Sequence, residues 1–325
     1  VQAIVVKNAG GPEVLEFAER PLPDITACDL LIRVKAVGVN RADILQRQGL
    51  YPPPRGASPD VLGLEYAGVV EKIGTDVSLF KPGDRVFGLS GGGTYQDYLA
   101  MHERLVAPIP DALSFVEAAA IPEAFITAFD ALVLQGGLTS GKTVLVSAVG
   151  SGVGLAVVQI AKSFGARIIG TSRTADKLAR AKEFGLQESI VVSDGRFADQ
   201  VNSTSGGADI IIELVGGSYV EEDLKCIKAK GRILVVGLLN GAKTNFPLGL
   251  LLSKRAQVIG TSLRGRPIEE KIFVTQAFID EIIPRIKSGH LTPNVDKVFP
   301  LAKAGEAHAY MESDANFGKV ILTLE

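Results

Sequence analysis

Apolar and polar positions alternate with a short period through the first third of the chain. Ala3–Lys7, Leu30–Val39, Val61–Ile73 and Arg85–Leu89 are apolar, β-branched runs, separated by Gly74 and by the Lys81-Pro82-Gly83-Asp84 turn. One short helical stretch, Arg41–Gln48, interrupts them. This pattern predicts a small, irregular β domain. The rhythm then changes. A helical pattern runs from Ser114 to Gln135, with Ser114 and Glu117 at the spacing of a capping box. Beyond it, the apolar runs Thr143–Val149, Arg167–Thr171, Ser189–Ser193, Asp209–Val215, Arg232–Leu238 and Gln257–Leu263 alternate with amphipathic helices. Continuous apolar strands alternating with helices predict a parallel sheet covered on both faces, and six of them complete a doubly wound α/β fold of the dinucleotide-binding kind. In the tail, Ile268–Lys287 reads as a helix broken or kinked by Pro284, Ala304–Ser313 as a short helix and Lys319–Leu324 as a closing strand. The tail is assigned to the first domain. The expected division is therefore residues 1–122 with 265–325 as one domain, and residues 123–264 as the nucleotide-binding domain.

Composition sharpens this picture in a few places. The 325 residues are 46% hydrophobic and 22% charged, with a formal net charge of −2. That length favours two cores over one. The charge balance implies no basic face, so nucleic acid is not an expected partner. Two cysteines far apart, Cys28 and Cys226, offer no disulfide framework and fit a reducing, cytoplasmic setting. The chain shows no signal-peptide pattern at its start, and no apolar run approaches the ~20 residues of a membrane-spanning helix. Asn202-Ser203-Thr204 matches a glycosylation acceptor, which has no meaning in the cytoplasm.

Two glycine motifs compete for a phosphate. Gly136 to Thr143 matches the G-x-x-x-x-G-K-T formula, but a helix precedes it and a strand follows, the reverse of the order in which a phosphate loop works. It reads as a helix end and a turn. Directly after it, the strand ending at Val149 runs into Gly150-Ser151-Gly152-Val153-Gly154, and a helix spans Val153–Phe164. Strand, glycine turn and helix N-terminus stand in the order that suits a dinucleotide pyrophosphate. The next strand ends in Ser172-Arg173-Thr174, with Lys177 one turn further on. No acid stands at the strand end where an NAD site holds the adenosine ribose. Ser172, Arg173 and Lys177 could instead hold an extra phosphate, which favours NADPH over NADH.

Several segments together resemble the quinone oxidoreductase branch of the medium-chain dehydrogenase/reductase superfamily. They are Gly38-Val39-Asn40-Arg41-Ala42-Asp43, Leu62 to Val70, Ala119 to Ala124 with Thr127-Ala128, Gln46 to Tyr51, and Gly216-Gly217-Ser218-Tyr219. The resemblance covers essentially the whole chain. It implies a Rossmann nucleotide-binding domain beside a β-rich GroES-like catalytic domain. It also implies a zinc-free site: where zinc-dependent relatives carry ligands, this chain has Asn40, Leu64 and Pro122-Glu123. The count of residues agrees, since His102, His290, His308 and two distant cysteines offer no ligand spacing, and the histidines read as surface or packing residues.

The resemblance also implies roles. Asn40, Asp43 and Tyr51 would face the substrate beside the nicotinamide. Gly150, Ser151, Gly152 and Val153 would meet the pyrophosphate, Lys177 the extra phosphate and Ser218 the adenosine side. Thr127, Gly237, Leu238, Leu239, Leu263, Arg264 and Asn316 would frame the nicotinamide and its neighbouring ribose and phosphate. One departure is that Val192 and Ser193 stand where close relatives often place a tyrosine. The expected activity is NADPH-dependent, zinc-independent hydride transfer to a small quinone. Without a metal, hydrogen-bond donors must stabilise charge on the substrate oxygen, and Tyr51 and Asn40 are the candidates. The alternatives are an alkenal or enoyl reductase, and an NADPH-binding regulatory or RNA-binding protein. The apolar strand 257–263 further suggests a homodimer formed by strand pairing across a two-fold axis.

Overall fold

The computed structural model describes residues 1–324. The chain opens with an antiparallel pair, β1 (Gln2–Val6) and β2 (Leu15–Glu19). The long strand β3 (Asp29–Val39) leads directly into helix α1 (Arg41–Arg47). Asn40 is the N-cap of that helix, and its backbone N–H donates to the Asp43 carboxylate at 2.8 Å. Strands β4 (Glu65–Ile73), β5 (Arg85–Leu89), β6 (Tyr98–His102) and β7 (Val106–Pro108) follow. The expected strand from Val61 begins only at Glu65, because Val61 makes a single bridge to Val5 and then leaves the ladder.

Helix α2 (Phe115–Ala119) is capped as its sequence predicts: the Glu117 N–H donates to Ser114 Oγ at 3.2 Å, and the Ser114 N–H to the Glu117 carboxylate at 2.8 Å. The helix expected to continue to Gln135 does not do so as one α-helix. It breaks before Pro122, which brings no amide hydrogen to extend the ladder. The continuation is wider: Pro122–Ile126 and Asp130–Gln135 are π-helical, flanking α3 (Thr127–Phe129). At its end the Gly136 N–H donates to Ala131 O, five residues back, at 2.8 Å.

The chain then alternates regularly. β8 (Thr143–Val146), α4 (Gly152–Ser163), β9 (Arg167–Ser172), α5 (Ala175–Ala181), β10 (Glu188–Val191), α6 (Ala198–Ser205), β11 (Ala208–Glu213), α7 (Tyr219–Cys226), β12 (Ile227–Val235), α8 (Leu248–Lys254) and β13 (Gln257–Gly260) form one six-stranded parallel sheet with its helices. The strand order is β10-β9-β8-β11-β12-β13. The order reverses direction between β8 and β11, the point where doubly wound sheets open a crevice at their carboxyl ends. The sheet is dry: Leu145, Ile169, Ile211 and Ile233 are all buried. β13 is shorter than the apolar run 257–263. Its register on β12 covers only Arg232 to Val235, and the ladder closes with the Thr261 N–H donating to Val235 O at 3.0 Å. The G-x-x-x-x-G-K-T match runs from the π-helical end into β8, as a turn with Gly137 and Gly141 at positive φ.

The tail supplies α9 (Ile268–Glu281), α10 (Ile283–Lys287), β14 (Val295–Pro300), α11 (Ala304–Glu312) and β15 (Lys319–Thr323). It returns to the first sheet, whose order is β14-β15-β3-β4-β5-β7 with β6 also on β3. Leu30, Ile32, Val34, Tyr66, Val86, Val320 and Leu322 fill its core. By compactness the chain forms two units, Val1–Ile126 with Leu263–Glu325, and Thr127–Ser262. The first limit lies inside the π-helical stretch, where no loop marks it.

Candidate active site

In the first unit, the turn from β3 into α1 gathers a buried polar cluster. Lys319, the first residue of β15, forms an ion pair with Glu65, the first residue of β4. Its ammonium also donates to Asn40 Oδ1 at 2.6 Å and to Val39 O at 3.3 Å. Asn40 Nδ2 donates to Glu65 Oε1 at 2.9 Å, and the Glu123 N–H donates to Glu65 Oε2 at 2.7 Å. Gly38 makes room for this: a Cβ there would stand 2.0 Å from Glu65 Oε1. The sequence offers Asn40 as a donor to a substrate oxygen. In the structure its amide is committed to Glu65 and Lys319.

Asp43 is fully buried one turn into α1. It accepts the N–H groups of Asn40 and of Gly63, the latter at 3.1 Å, and the Tyr95 hydroxyl at 3.4 Å. Burial pushes its carboxyl up to about 7, against the pull of the Asn40 N–H and the Lys319 charge. Burial does the same to Glu123, also raised to about 7, with the Glu65 charge adding to it. Tyr95 extends the cluster away from the site. Its hydroxyl lies 3.1 Å from His308 Nε2, His308 Nδ1 lies 3.2 Å from Arg47 Nη1, and Arg47 Nη2 donates to Glu312 at 2.6 Å. Burial, with the Arg47 charge, pulls the His308 imidazole down to about 3, so it is neutral. A guanidinium can only donate, so Nδ1 accepts and Nε2 carries the proton toward Tyr95.

Tyr51 is half-buried just beyond α1. The Arg264 guanidinium lies over its ring, with Cζ 5.0 Å from the centroid. Arg264 Nε donates to Gly91 O at 2.8 Å, and Nη2 donates to Gln46 Oε1. Asp43 and Gln46 stand at i and i+3 on α1, so one helix face carries both to this side. Leu263 is buried beside Arg264 in sequence, and Asn316 is half-buried, its Nδ2 donating to Gly318 O at 3.0 Å.

The second unit presents its candidates at the carboxyl ends of its strands. After β8 the chain turns through Ala148, at φ 47°, into Gly150, and Ser151 caps α4 by accepting the Gly154 N–H at 3.0 Å. A Cβ at Gly154 would meet Ala148 O and Val149 O at 2.8 and 2.7 Å, so this helix start packs on its own turn only with glycine. Gly152 and Val153 form the first turn of α4 and are half-buried, with amides free for an anion. Ser172 ends β9, is buried, and accepts the Thr174 N–H at 3.3 Å. Arg173 is exposed and Lys177 half-buried on the next turn. Asp176, which the sequence reading passed over, stands exposed between them. Ser218 is exposed at the start of α7, and Gly237 follows β12 where a Cβ would be 2.6 Å from Leu214 O. Leu238 and Leu239 after it are exposed, and Thr127 is half-buried at the start of α3. The turn after β8 and the Gly216-Gly217 turn after β11 flank the switch point of the sheet. These features fit a dinucleotide: a helix N-terminus of twelve residues' standing, and turns whose close approach excludes side chains.

Sequence reasoning missed the partners that hold these groups. Lys319 and Glu65 are distant in sequence, and only an acid and a lysine placed inside apolar strands hint at the pairing. It also missed Glu213, at the end of β11, and Asp223 on α7. Glu213 Oε1 accepts the N–H groups of Val215 and of Gly216, the latter at 2.7 Å. Both Asp223 oxygens and Glu213 Oε2 are buried without a hydrogen-bond donor. Among the described residues, no group of three His, Cys, Asp or Glu side chains is placed to hold a metal ion. Among the same residues, no helix is long and apolar enough to cross a membrane.

Comparison with known proteins agrees with this architecture. Residues 26–111 match the family model described as alcohol dehydrogenase GroES-like domain, and residues 152–277 the one described as zinc-binding dehydrogenase. The chain is 32% identical to the quinone oxidoreductase of Rattus norvegicus, over 100% of this chain and 98% of that protein. It is 32% identical to the quinone oxidoreductase of Pseudomonas aeruginosa, over 96% of each. Among solved structures, the Escherichia coli quinone oxidoreductase complexed with NADPH superposes with a TM-score of 0.89 at 31% identity, covering 100% of both chains. The two units are thus a GroES-like domain and a Rossmann-type parallel α/β domain, and the chain belongs to the quinone oxidoreductase branch of the medium-chain dehydrogenase/reductase superfamily.

Proposed function

We propose that this protein is an NADPH-dependent quinone oxidoreductase that transfers a hydride to a small quinone without a metal. The observation that carries the reading is the pairing, in one nucleotide-binding unit, of the Ser151-capped glycine turn with a β9 end that offers Ser172, Arg173 and Lys177. Gly150 to Val153 hold the pyrophosphate, Ser172, Arg173 and Lys177 the additional phosphate, and Ser218, Gly237, Leu238 and Leu239 the remaining nucleotide. Thr127, Leu263 and Asn316 frame the nicotinamide end. NADPH, when bound, supplies the hydride. Tyr51 forms the wall against the acceptor. Asn40 and Asp43 act as positioning residues, since the first is held by Glu65 and Lys319 and the second caps α1. The enzyme works in the cytoplasm as a homodimer joined through β13.

The test is oxidation of NADPH and of NADH against a panel of ortho- and para-quinones and enones, in the presence of a strong chelator. NADPH is expected to be consumed fast with quinones and slowly with enones, and chelation is expected to change nothing. Turnover confined to enones would replace the quinone reading with an alkenal reductase. Loss of activity on chelation, restored by zinc, would overturn the metal-free reading.

A further inference from the structure

Two buried hydrogen-bond donors stand idle together beside Tyr51. Arg264 is 7% exposed and Gln46 8% exposed. The guanidinium uses Nε on Gly91 O and Nη2 on Gln46 Oε1, while Nη1 is buried with no partner. Gln46 Nε2 is likewise buried with no partner. The amide orientation is fixed by the contact itself: flipping Gln46 would set its NH₂ against an Arg264 donor. Among the described residues no carboxylate forms an ion pair with Arg264, although Asp43, Tyr51 and Glu123 are close enough to favour its charge, Tyr51 also through a side-chain hydrogen bond, and Lys271 to oppose it. Folded proteins rarely leave such groups unsatisfied, and a cluster of two calls for an acceptor from outside the chain. The acceptor must be an oxygen with room for two donors, next to the flat face of Tyr51.

We propose that Arg264 Nη1 and Gln46 Nε2 receive the carbonyl oxygen of the acceptor and hold the negative charge that it gains on reduction. This rests on the quinone reading and names its electrophilic groups. A hydride added to a quinone brings two electrons and one proton. The electron pair of a C=O bond moves onto its oxygen, giving a hydroquinone monoanion. A proton from water then completes the hydroquinone. The donor pair takes the place that a metal Lewis acid would fill, and binds the product-like anion more tightly than the neutral quinone. A phosphate of the dinucleotide could satisfy the same two donors. The substrate oxygen is favoured because Arg264 and Gln46 share their unit, and Arg264 its ring contact, with Tyr51.

The experiment uses three measurements on the full chain and on Arg264→Met and Gln46→Glu. The second variant keeps an acceptor for Arg264 Nη2, removes the idle donor and sets a carboxylate where the anion would form, so it serves even if Arg264→Met fails to fold. First, kcat/KM is measured for para-benzoquinones of graded electron deficiency. Each variant is expected to lose tenfold or more with the least electron-deficient quinones and less with the most deficient, steepening the dependence. Second, the dissociation constant of NADPH, read by fluorescence, is expected to change less than twofold. Third, 4-nitrophenol is titrated on the cofactor-free protein as an analogue of the monoanion. It is expected to ionise at lower pH when bound to the parent protein, and that shift is expected to vanish in the variants. A uniform loss across the quinone series with no change in the nitrophenol titration would make Arg264 a structural residue and overturn the proposal. A large loss of NADPH affinity would assign the donors to a cofactor phosphate and overturn it too. A parent protein that binds NADPH but reduces no quinone sinks the quinone reading itself, which is a different failure from parent and variants that reduce quinones equally.

Discussion

Two carboxyl groups meet beneath the crevice of the nucleotide-binding sheet, and their chemistry is set by what surrounds them. Glu213 ends β11 and Asp223 lies on α7, and burial raises both carboxyls; the charge of Glu213 raises Asp223 further, while the N–H groups of Gly216 and Val215 and a hydrogen bond with Asp223 pull Glu213 back. Two buried acids that hydrogen-bond each other favour a state in which the pair keeps one proton. A raised folded-state pKa stabilises the protonated fold below the ordinary carboxylate range, and that stabilisation is lost as pH rises through the folded value. We expect Asp223→Asn, which can donate to Glu213 Oε2 without a proton to lose, to flatten the pH dependence of stability. The check is urea unfolding from acid to alkaline pH: the parent should lose stability toward alkaline pH with a limiting slope of about 1.4 kcal/mol per pH unit for one proton. Parallel curves for parent and variant would refute the shared proton. Such a pair is hard to see in a sequence. Glu213 sits at the end of an apolar run and Asp223 inside a helix that looks amphipathic, and only the fold brings them together. Asn40 and Asp43 were legible as a motif, but the meaning of that motif, a helix cap locked onto Glu65 and Lys319, depends on contacts across the whole first unit.

The elements were more legible than the contacts between them. Strand periodicity placed all six strands of the parallel sheet, because buried strands are uniform in hydrophobicity and are bounded by turns. The helix from Ser114 was misjudged as one piece because apolar spacing does not distinguish α from π turns, and only Pro122 marked the break. The turn into α4 was legible from its glycines, and it supports an element-level prediction. Gly154→Ala would drive a Cβ against the backbone oxygens of Ala148 and Val149, which cannot give way as a flexible side chain would. We expect a loss of about 1–3 kcal/mol in unfolding free energy, together with weaker NADPH binding as the helix N-terminus shifts. Thermal melts and a fluorescence titration measure the two effects. A variant as stable as the parent would show that the turn relaxes freely.

At the scale of the molecule, one sheet has an open edge. β13 pairs only with β12, and counting back from the Thr261 N–H leaves the amides of Val258 and Gly260 on the free side. Val258 and Ile259 there are only partly covered. An edge of this kind invites a second strand. We expect the protein to sediment at twice its chain mass, and Val258→Pro, which removes one outward amide without touching the ladder to β12, to sediment at the chain mass. A parent protein that sediments as a single chain at high concentration would remove the homodimer from the account.

The first unit is assembled from both sides of the second, and this has a consequence for synthesis. Glu65 leaves the ribosome a whole nucleotide-binding domain ahead of Lys319. Until β15 emerges and docks on β3, the nascent chain has no cation to set against that carboxylate, and part of β3 lacks a neighbour. The nucleotide-binding domain is contiguous and can fold in that interval. The order of translation therefore completes the parallel sheet before the sheet of the first unit, which must wait for β14 and β15.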